Sequence, residues 1–371
     1  MQIRTFGVEQ WMNEYETRCS YNLAETCVES LTVGELLDLT GHRDTILDDL
    51  LPMKLTYGAI EGSDRLRGAV AATYEAVDAD RVLITHGAIG ANQLVYLTLV
   101  EPGDRVVSIV PNYQQHYSIP ESLGATVDLL PLDPADGWLP DLDRLADLVA
   151  NGAKAVTLSN PNNPTGAVID ESGLRRLVEI CDRAGAWLVC DEVYRGMNQQ
   201  EPAATPSVAD LYERGIATGS MSKAFSLAGL RLGWIVGPAD FMRRVTVHRD
   251  YNTISVGMVD DLLATIALEH ADVLLERSRA ITRGNLATLI DFVSRTPRLS
   301  FVAPRGGTTA LLDIGSEITS RDFCVRLIEQ TGVMLTPGSA LDVEGYVRIG
   351  FANNPSLLAE GLAILGEFLA G

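Results

Sequence analysis

The chain has 371 residues, 46% of them hydrophobic and 21% charged, which is typical of a globular enzyme with one large domain and a smaller companion. Its formal net charge of −20 disfavours nucleic acid and anionic membranes as partners, because both attract basic surfaces. The five cysteines lack metal-ligand spacing, so we expect free thiols and no metal. No apolar run is long enough to span a bilayer, and no signal-peptide core opens the chain. We therefore expect no membrane segment and a cytoplasmic location.

Short β-rich runs alternate with amphipathic stretches through the middle of the chain. The pattern predicts helices at 88–100 and 174–184, and strands at 81–85, 104–110, 153–159, 186–190 and 232–237. Strands separated by helices are typical of an α/β fold with a mainly parallel sheet. Ligand-binding loops in such a fold follow the carboxyl ends of the strands.

The pattern changes at about residue 260. A long helical stretch runs to 291, and it is followed by a strand at 311–313, a helix at 320–331, a strand at 345–350 and a terminal helix. This mixed pattern indicates a second, smaller α+β domain. We predict a large domain over 45–280 and a small domain built from 1–44 and 281–371.

One lysine, Lys223, lies among small and apolar residues in the segment GSMSKAFSLAGLRLGW. A lysine amine is a nucleophile only when neutral, and burial or nearby positive charge lowers its pKa to allow this. Ser220, Ser222 and Arg231 are good anion ligands. A Schiff-base lysine beside a phosphate cradle is what pyridoxal 5′-phosphate (PLP) requires. An exposed loop lysine is the alternative.

Two further motifs follow predicted strands. Asp191 ends a buried run, where a carboxylate is suited to keeping a pyridine nitrogen protonated, and Tyr194 three residues later offers a phenol donor. A helix N-cap is the alternative role for Asp191. Asn163 lies in a loop shaped by two Asn-Pro steps, and by itself this loop indicates only a turn.

In combination these motifs resemble the class I/II aminotransferases, the fold-type I family of PLP enzymes, in order and spacing over nearly the whole chain. The resemblance implies an aspartate aminotransferase-like fold with PLP as cofactor. It implies that Lys223 forms the Schiff base and shuttles the proton between Cα and C4′, and that Asp191 pairs with the pyridinium nitrogen. The resemblance also assigns the ring 3′ oxygen to Asn163 and Tyr194, and the phosphate to Ser220, Ser222 and Arg231.

The resemblance extends to other cofactor-binding positions. The turn before the helix at 88–100 implies phosphate binding by the backbone N–H groups of Gly87, Ala88 and Ile89, although the family often has a hydroxyl residue where Ile89 stands. Tyr113 resembles the family's aromatic lid, stacked on the ring. His116 is a candidate support for Asp191, with a structural histidine as the alternative.

Tyr57 resembles the family residue that reaches the phosphate of a neighbouring subunit, which implies a homodimer with shared sites. Arg348 lies in an apolar strand that resembles the family strand carrying the substrate-carboxylate arginine. A planar guanidinium binds a carboxylate at two points, and a buried arginine needs an anion. We therefore expect a small-molecule amino-acid substrate, bound by Arg348 and Asn163.

The core motifs suit transamination and elimination equally well. The N-terminal segment has Thr26 about where the family often has a glycine, beside Glu25, with Glu9 and other acids before it. These acids are candidate ligands for a cationic side chain, although solvated helix faces are the alternative. Segments such as 31–36 and 248–251 resemble, more loosely, the branch that contains capreomycidine synthase, which cyclises a hydroxylated arginine, and related lyases of guanidino amino acids.

We therefore predict elimination or cyclisation at Cβ or Cγ of a guanidino-type L-amino acid such as canavanine, hydroxyarginine or an arginine-like compound. Transamination to a 2-oxo acid is the alternative. A PLP-binding regulatory protein is a third class, which the acidic charge and the early start of the catalytic domain disfavour.

Overall fold

The computed structural model describes residues 2–315 and 317–370, and its largest element within them is a seven-stranded sheet. Its strands are β2 (Val82–Thr85), β3 (Arg105–Val110), β4 (Thr126–Pro131), β5 (Ala155–Ser159), β6 (Trp187–Asp191), β7 (Gly215–Ser220) and β8 (Gly233–Val236). They lie side by side in the order β2, β8, β7, β6, β5, β3, β4. Only β8 runs antiparallel to its neighbours among these strands, which confirms the predicted mainly parallel sheet.

The sheet is buried on both faces. In β6, Leu188 and Cys190 belong to one hydrophobic core, whereas Val189 between them belongs to another core on the opposite face. The helices of this region are α3 (Ile46–Leu50), α4 (Asp64–Ala71), α5 (Gly87–Leu99), α6 (Gln115–Ser122), α7 (Leu142–Ala150), α8 (Glu171–Ala184), α9 (Val208–Leu211), α10 (Ala239–Asp250) and α11 (Met258–Glu269).

Local sequence signals explain where the helices begin and end. For α8, the Asp170 side chain accepts a hydrogen bond from the Gly173 N–H, and Gly185 ends the helix with a left-handed φ of 66°. Two strands of the seven-stranded sheet escaped the sequence analysis. The edge strand β4 is partly exposed, and β7 contains two glycines and no long apolar run, so neither has a clear strand pattern.

A second core forms around smaller sheets. Strands β9 (Thr309–Asp313), β11 (Thr336–Pro337) and β12 (Tyr346–Gly350) form an antiparallel sheet, and β1 (Tyr21–Asn22) pairs with β10 (Val333–Met334). The remaining helices are α1 (Gly7–Tyr15), α2 (Val33–Thr40), α12 (Ala271–Ser294), α13 (Ser320–Thr331) and α14 (Pro355–Ala370). Trp11 and Leu23 pack in this core, whereas Leu36 and Leu37 pack against the large sheet.

The division into domains at residues 44 and 281 stays a prediction. Over the described part of the chain, no helix is long and apolar enough to cross a membrane. No group of three or more His, Cys, Asp or Glu side chains suited to a metal ion was found in residues 2–315 and 317–370.

Candidate active site

A cavity of about 340 Å³ lies where three neighbouring parallel strands end. Ser159, Asp191 and Ser220 are the last residues of β5, β6 and β7, and all three line it. The carboxyl ends of parallel strands meet at one edge of a sheet, so loops after each strand converge on the same space. The cavity is therefore at the position that the α/β pattern predicts for a ligand site.

Most of the predicted site residues line this one cavity, although they come from distant parts of the chain. They are Glu9, Glu25, Thr26, Ala88, Ile89, Tyr113, Asn163, Asp191, Tyr194, Ser220, Ser222, Lys223, Arg231 and Arg348. Gly87 adjoins the cavity at the start of α5, and Tyr57 lies apart from it with 76% of its surface exposed. The structure thus brings the predicted residues together without testing the role of each.

The start of α5 forms a narrow cradle. Gly87 has a left-handed φ of 66°, and a Cβ atom there would lie 3.1 Å from Nη2 of Arg231. A Cβ on Gly233 would lie 2.4 Å from the Gly87 carbonyl carbon, so glycine lets β8 approach the first turn of the helix. Free N–H groups at a helix start beside a guanidinium suit a phosphate.

The carboxylate of Asp191 is held by donors from two sides. Oδ1 accepts from the Val193 N–H at 3.1 Å, and Oδ2 accepts from Nδ2 of Asn92 at 3.0 Å. Nε2 of His116 lies 3.6 Å from Oδ2, and Nδ1 of His116 pairs with the Tyr96 hydroxyl at 2.6 Å. The sequence analysis missed Asn92, because one amide within a predicted helix carries no functional signal.

The amine of Lys223 contacts the N-terminal segment of the chain. Nζ donates to Oγ1 of Thr26 at 2.6 Å and to Sγ of Cys27 at 3.4 Å. Burial disfavours the charged form, but the Cys27 sulfur, the Tyr194 oxygen and the Glu25 carboxylate outweigh it and raise the pKa of Lys223. Residues distant in sequence thus supply the partners that favour the ammonium form of Lys223.

Glu25 also organises the segment that contacts Lys223. Its Oε1 accepts the backbone N–H groups of Thr26 and Cys27, both at 2.7 Å. Although burial opposes ionisation, the Lys223 charge and the hydrogen bonds to this segment lower the pKa of Glu25. The carboxylate is thus ionised at neutral pH and favours the charged amine.

Replacing Glu25 with glutamine should lower the pKa of Lys223, because it removes one negative charge near the amine. Only the neutral amine attacks a carbonyl, and each unit of lowered pKa gives about ten times more of it below the pKa. We therefore expect Glu25→Gln to capture added PLP faster at neutral pH, with its rate–pH profile displaced to lower pH. Stopped-flow absorbance of the apoprotein with PLP measures this.

The matched control is Glu14→Gln, which removes the same charge from a half-exposed residue that pairs with Arg321. It should leave the profile unchanged. Identical rate–pH profiles for Glu25→Gln and the unmodified protein would contradict an effect of the Glu25 charge on the pKa of Lys223.

Arg348 lies in β12 with 3% of its surface exposed. Nη1 donates to Oδ1 of Asn163, and Nη2 donates to the Ala24 carbonyl and to Oγ1 of Thr336, each at 3.2 Å. Within residues 2–315 and 317–370, its Nε has no hydrogen-bond partner, and the same holds for the buried Tyr194 hydroxyl. Buried donors in this state fit a ligand that brings a carboxylate and a ring oxygen.

Three carboxylates face the same cavity from the N-terminal part of the chain. Glu9 accepts from the Tyr113 hydroxyl at 2.9 Å, and Glu16 and Glu25 also line the cavity. Burial and the neighbouring charges of Glu25 and Glu9 raise the pKa of Glu16. Glu16 is therefore close enough to Glu9 and to Glu25 to be repelled by both, which favours a cation near it.

PLP needs a lysine amine for its aldehyde, an acid for its ring nitrogen and an anion cradle for its phosphate. One cavity offers all three groups in an aspartate aminotransferase-like fold. The fold and the site together therefore define a PLP-dependent enzyme. Residues 29–364 match the family model for aminotransferase class I and II, and the chain belongs to that family.

Individual relatives differ in their reactions. The chain is 32% identical over 367 residues to capreomycidine synthase of Streptomyces vinaceus, covering 98% of this chain and 93% of the relative. It is 29% identical over 329 residues to the arginine–pyruvate transaminase AruH of Pseudomonas aeruginosa, covering 85% and 82%. A PLP-dependent aminotransferase from Streptococcus suis superposes with a TM-score of 0.96 at 41% identity, covering 100% and 98%.

Proposed function

We propose that the protein acts on an L-α-amino acid with a guanidino-type side chain and that it catalyses elimination or cyclisation at Cβ or Cγ. The observation that carries the substrate class is the charge of the cavity. Besides Asp191, Lys223 and Arg231, which suit the cofactor, the cavity is lined by one buried arginine, Arg348, and by the three carboxylates Glu9, Glu16 and Glu25. A cationic amino acid presents the complement, one carboxylate and one cation. Charge-assisted hydrogen bonds at both ends select it.

The bound PLP ring supplies an electron sink for the pair released at Cα. In the proposed arrangement, Lys223 removes the Cα proton, and its contact with Thr26 and Cys27 gives the freed amine hydrogen-bond partners. Asp191 holds the proton at the ring nitrogen. Arg348 binds the substrate carboxylate, and Asn163 orients the guanidinium of Arg348 through the bond to Nη1.

The remaining cofactor contacts follow from the cavity lining. Asn163 and Tyr194 suit the ring oxygen, and Tyr113 suits the ring face. The phosphate fits the cradle formed by the backbone of Gly87, Ala88 and Ile89 together with Ser220, Ser222 and Arg231.

The similarity to capreomycidine synthase over nearly the whole chain supports cyclisation or elimination. Transamination is the second candidate, supported by the arginine–pyruvate transaminase and by the Streptococcus suis aminotransferase structure. Arginine, in the name of the transaminase, is a cationic amino acid and is consistent with the charge of the cavity. The reaction type therefore has to be read from products.

A product assay distinguishes the two reactions. The holoenzyme is incubated with arginine, hydroxyarginine, canavanine and uncharged amino acids, with and without pyruvate as amino acceptor. Product or leaving group released without pyruvate supports elimination or cyclisation. A 2-oxo acid formed only with pyruvate overturns that proposal in favour of transamination.

Replacing Glu9 or Glu16 with glutamine should weaken the binding of cationic amino acids by about 10–100-fold, because one charge-assisted contact is worth about 1.5–3 kcal/mol. The binding of the uncharged analogue citrulline should be affected much less. Titration of the visible absorbance of the holoenzyme with arginine and with citrulline measures the two affinities. Glu14→Gln is again the matched control, and an equal loss for both substrates would contradict a cation subsite.

We further propose a homodimer in which Tyr57 reaches the partner's cofactor phosphate. Tyr57 is exposed in the single chain, and the same segment of sequence carries the exposed apolar side chains of Leu51, Leu55 and Ile60. Several exposed apolar side chains in one segment are typical of protein interfaces. Light scattering should give twice the chain mass, and a monomer that retains full activity would overturn the proposal.

A further inference from the structure

The buried amide of Asn92 links the sheet to the carboxylate of Asp191. Asn92 lies in α5 with 0% of its surface exposed. Its Oδ1 accepts from Oγ1 of Thr218 at 2.7 Å, and its Nδ2 donates to Oδ2 of Asp191 at 3.0 Å. A flipped amide would turn its oxygen toward the carboxylate, so the pair of bonds determines its orientation.

Two neighbouring strands of the sheet fix the positions of Thr218 and Asp191 relative to each other. Thr218 in β7 is the register partner of Asp191 in β6, so the hydroxyl that orients Asn92 and the carboxylate that Asn92 contacts are on adjacent strands. Both Thr218 and Asn92 are fully buried. Water is therefore a poor substitute for either bond.

Helix α5 carries both this amide and the phosphate cradle. Ala88, Ile89 and Asn92 all line the cavity, and their spacing of three and four residues puts them on one face of the helix. Four residues of helix rise about 6 Å. One rigid turn thus sets the distance between the phosphate-binding backbone and the amide that holds Asp191.

We propose that Asn92, oriented by Thr218, is a positioning residue for the cofactor. It holds the Asp191 carboxylate in one plane, so that an oxygen lone pair stays directed at the ring nitrogen while the same helix holds the phosphate. This role of Asn92 is the same for elimination, cyclisation and transamination. A carboxylate has about four acceptor sites, and the donors Val193 and Asn92 use two of them, which leaves capacity for the ring N–H.

His116 contributes less to this positioning. Its Nε2 lies 3.6 Å from Oδ2 of Asp191, beyond hydrogen-bond distance, whereas Asn92 is at 3.0 Å. Loss of Asn92 therefore removes the one side-chain donor bonded to Oδ2 among the described residues. The carboxylate then gains freedom to rotate.

The test measures the PLP dissociation constant of the full-length protein, by equilibrium dialysis, in a double-mutant cycle. Asn92→Leu keeps the branched shape of the side chain and removes the amide, and it should weaken PLP binding on the order of tenfold. In an Asp191→Ala background, where Lys223 and the phosphate contacts still bind PLP, the same substitution should change affinity by less than about twofold. Equal losses in both backgrounds would overturn the proposal.

Thr218→Val provides a second variant in case Asn92→Leu does not fold, as judged by thermal unfolding of the apoprotein. It should weaken PLP binding in the same direction, and Thr218→Ser should restore it. The matched control is Thr98→Val in α5, the helix that carries Asn92, since among the described residues the Thr98 hydroxyl bonds only to the Leu94 carbonyl. An effect of Thr98→Val equal to that of Thr218→Val would mean that the loss arises from the helix in general.

Discussion

Replacing Lys223 with alanine should lower turnover by about 10³-fold or more, since it removes both the covalent anchor of PLP and the base at Cα. The protein should still bind PLP through the phosphate cradle, but its visible absorption should become that of the free aldehyde. Steady-state assays and absorbance spectra measure these two effects.

The chain offers a direct check on this assignment, because it contains only the three lysines Lys54, Lys154 and Lys223. Borohydride reduction of the holoenzyme followed by peptide mapping should place the pyridoxyl label on Lys223. Lys154→Ala is the matched control, because this lysine lies at the surface near Asp104. A pyridoxyl label on Lys54 or Lys154, or an unchanged absorbance spectrum for Lys223→Ala, would contradict the role of Lys223 as the Schiff-base lysine.

Replacing Arg348 with methionine should raise KM for amino-acid substrates by about 10–100-fold while PLP stays bound. The cause is loss of a two-point contact to the substrate carboxylate. Thermal unfolding of the apoprotein is the control for stability, because the variant also loses the hydrogen bonds of Arg348 to Asn163, to the Ala24 carbonyl and to Thr336. Substrate titration of the visible spectrum measures binding separately from turnover.

Arg348→Lys is the informative companion variant, because lysine keeps the charge but not the planar fork. It should recover part of the binding at most. Loss of PLP from Arg348→Met would instead mean that the arginine serves the cofactor.

Much of the fold was predictable because its signals are local. The strand and helix pattern over 81–110 and 153–190 led to the parallel sheet, and α13 was predicted with its observed bounds, Ser320–Thr331. Strand β7 was missed even though all six of its residues are buried. Its Gly-rich sequence has no strong strand pattern, and its place between β6 and β8 depends on pairing with both.

The candidate site was predictable where a motif lies in one loop, as around Lys223, or at the end of one strand, as at Asp191. It was less predictable where two segments meet. The contact between Asn92 and Asp191 joins residues 99 positions apart, and the contact between Lys223 and Thr26 joins residues 197 apart. Neither sequence segment contains a sign of the other.

By itself, the sequence determined the fold class through its alternating strand and helix pattern, and it indicated the cofactor through the combined resemblance of a helix start, a strand end and a serine-lysine loop to one family. These signals are local, because each depends on residues that are neighbours in the chain. Only the tertiary structure decided what surrounds the reactive groups. It brought Glu25 and Cys27 to the Lys223 amine, which raises the pKa of this lysine, and it brought Asn92 to Asp191. The physical reason is that charge and hydrogen bonding depend on distance in space, and packing of the N-terminal segment and α5 against the strand ends sets those distances.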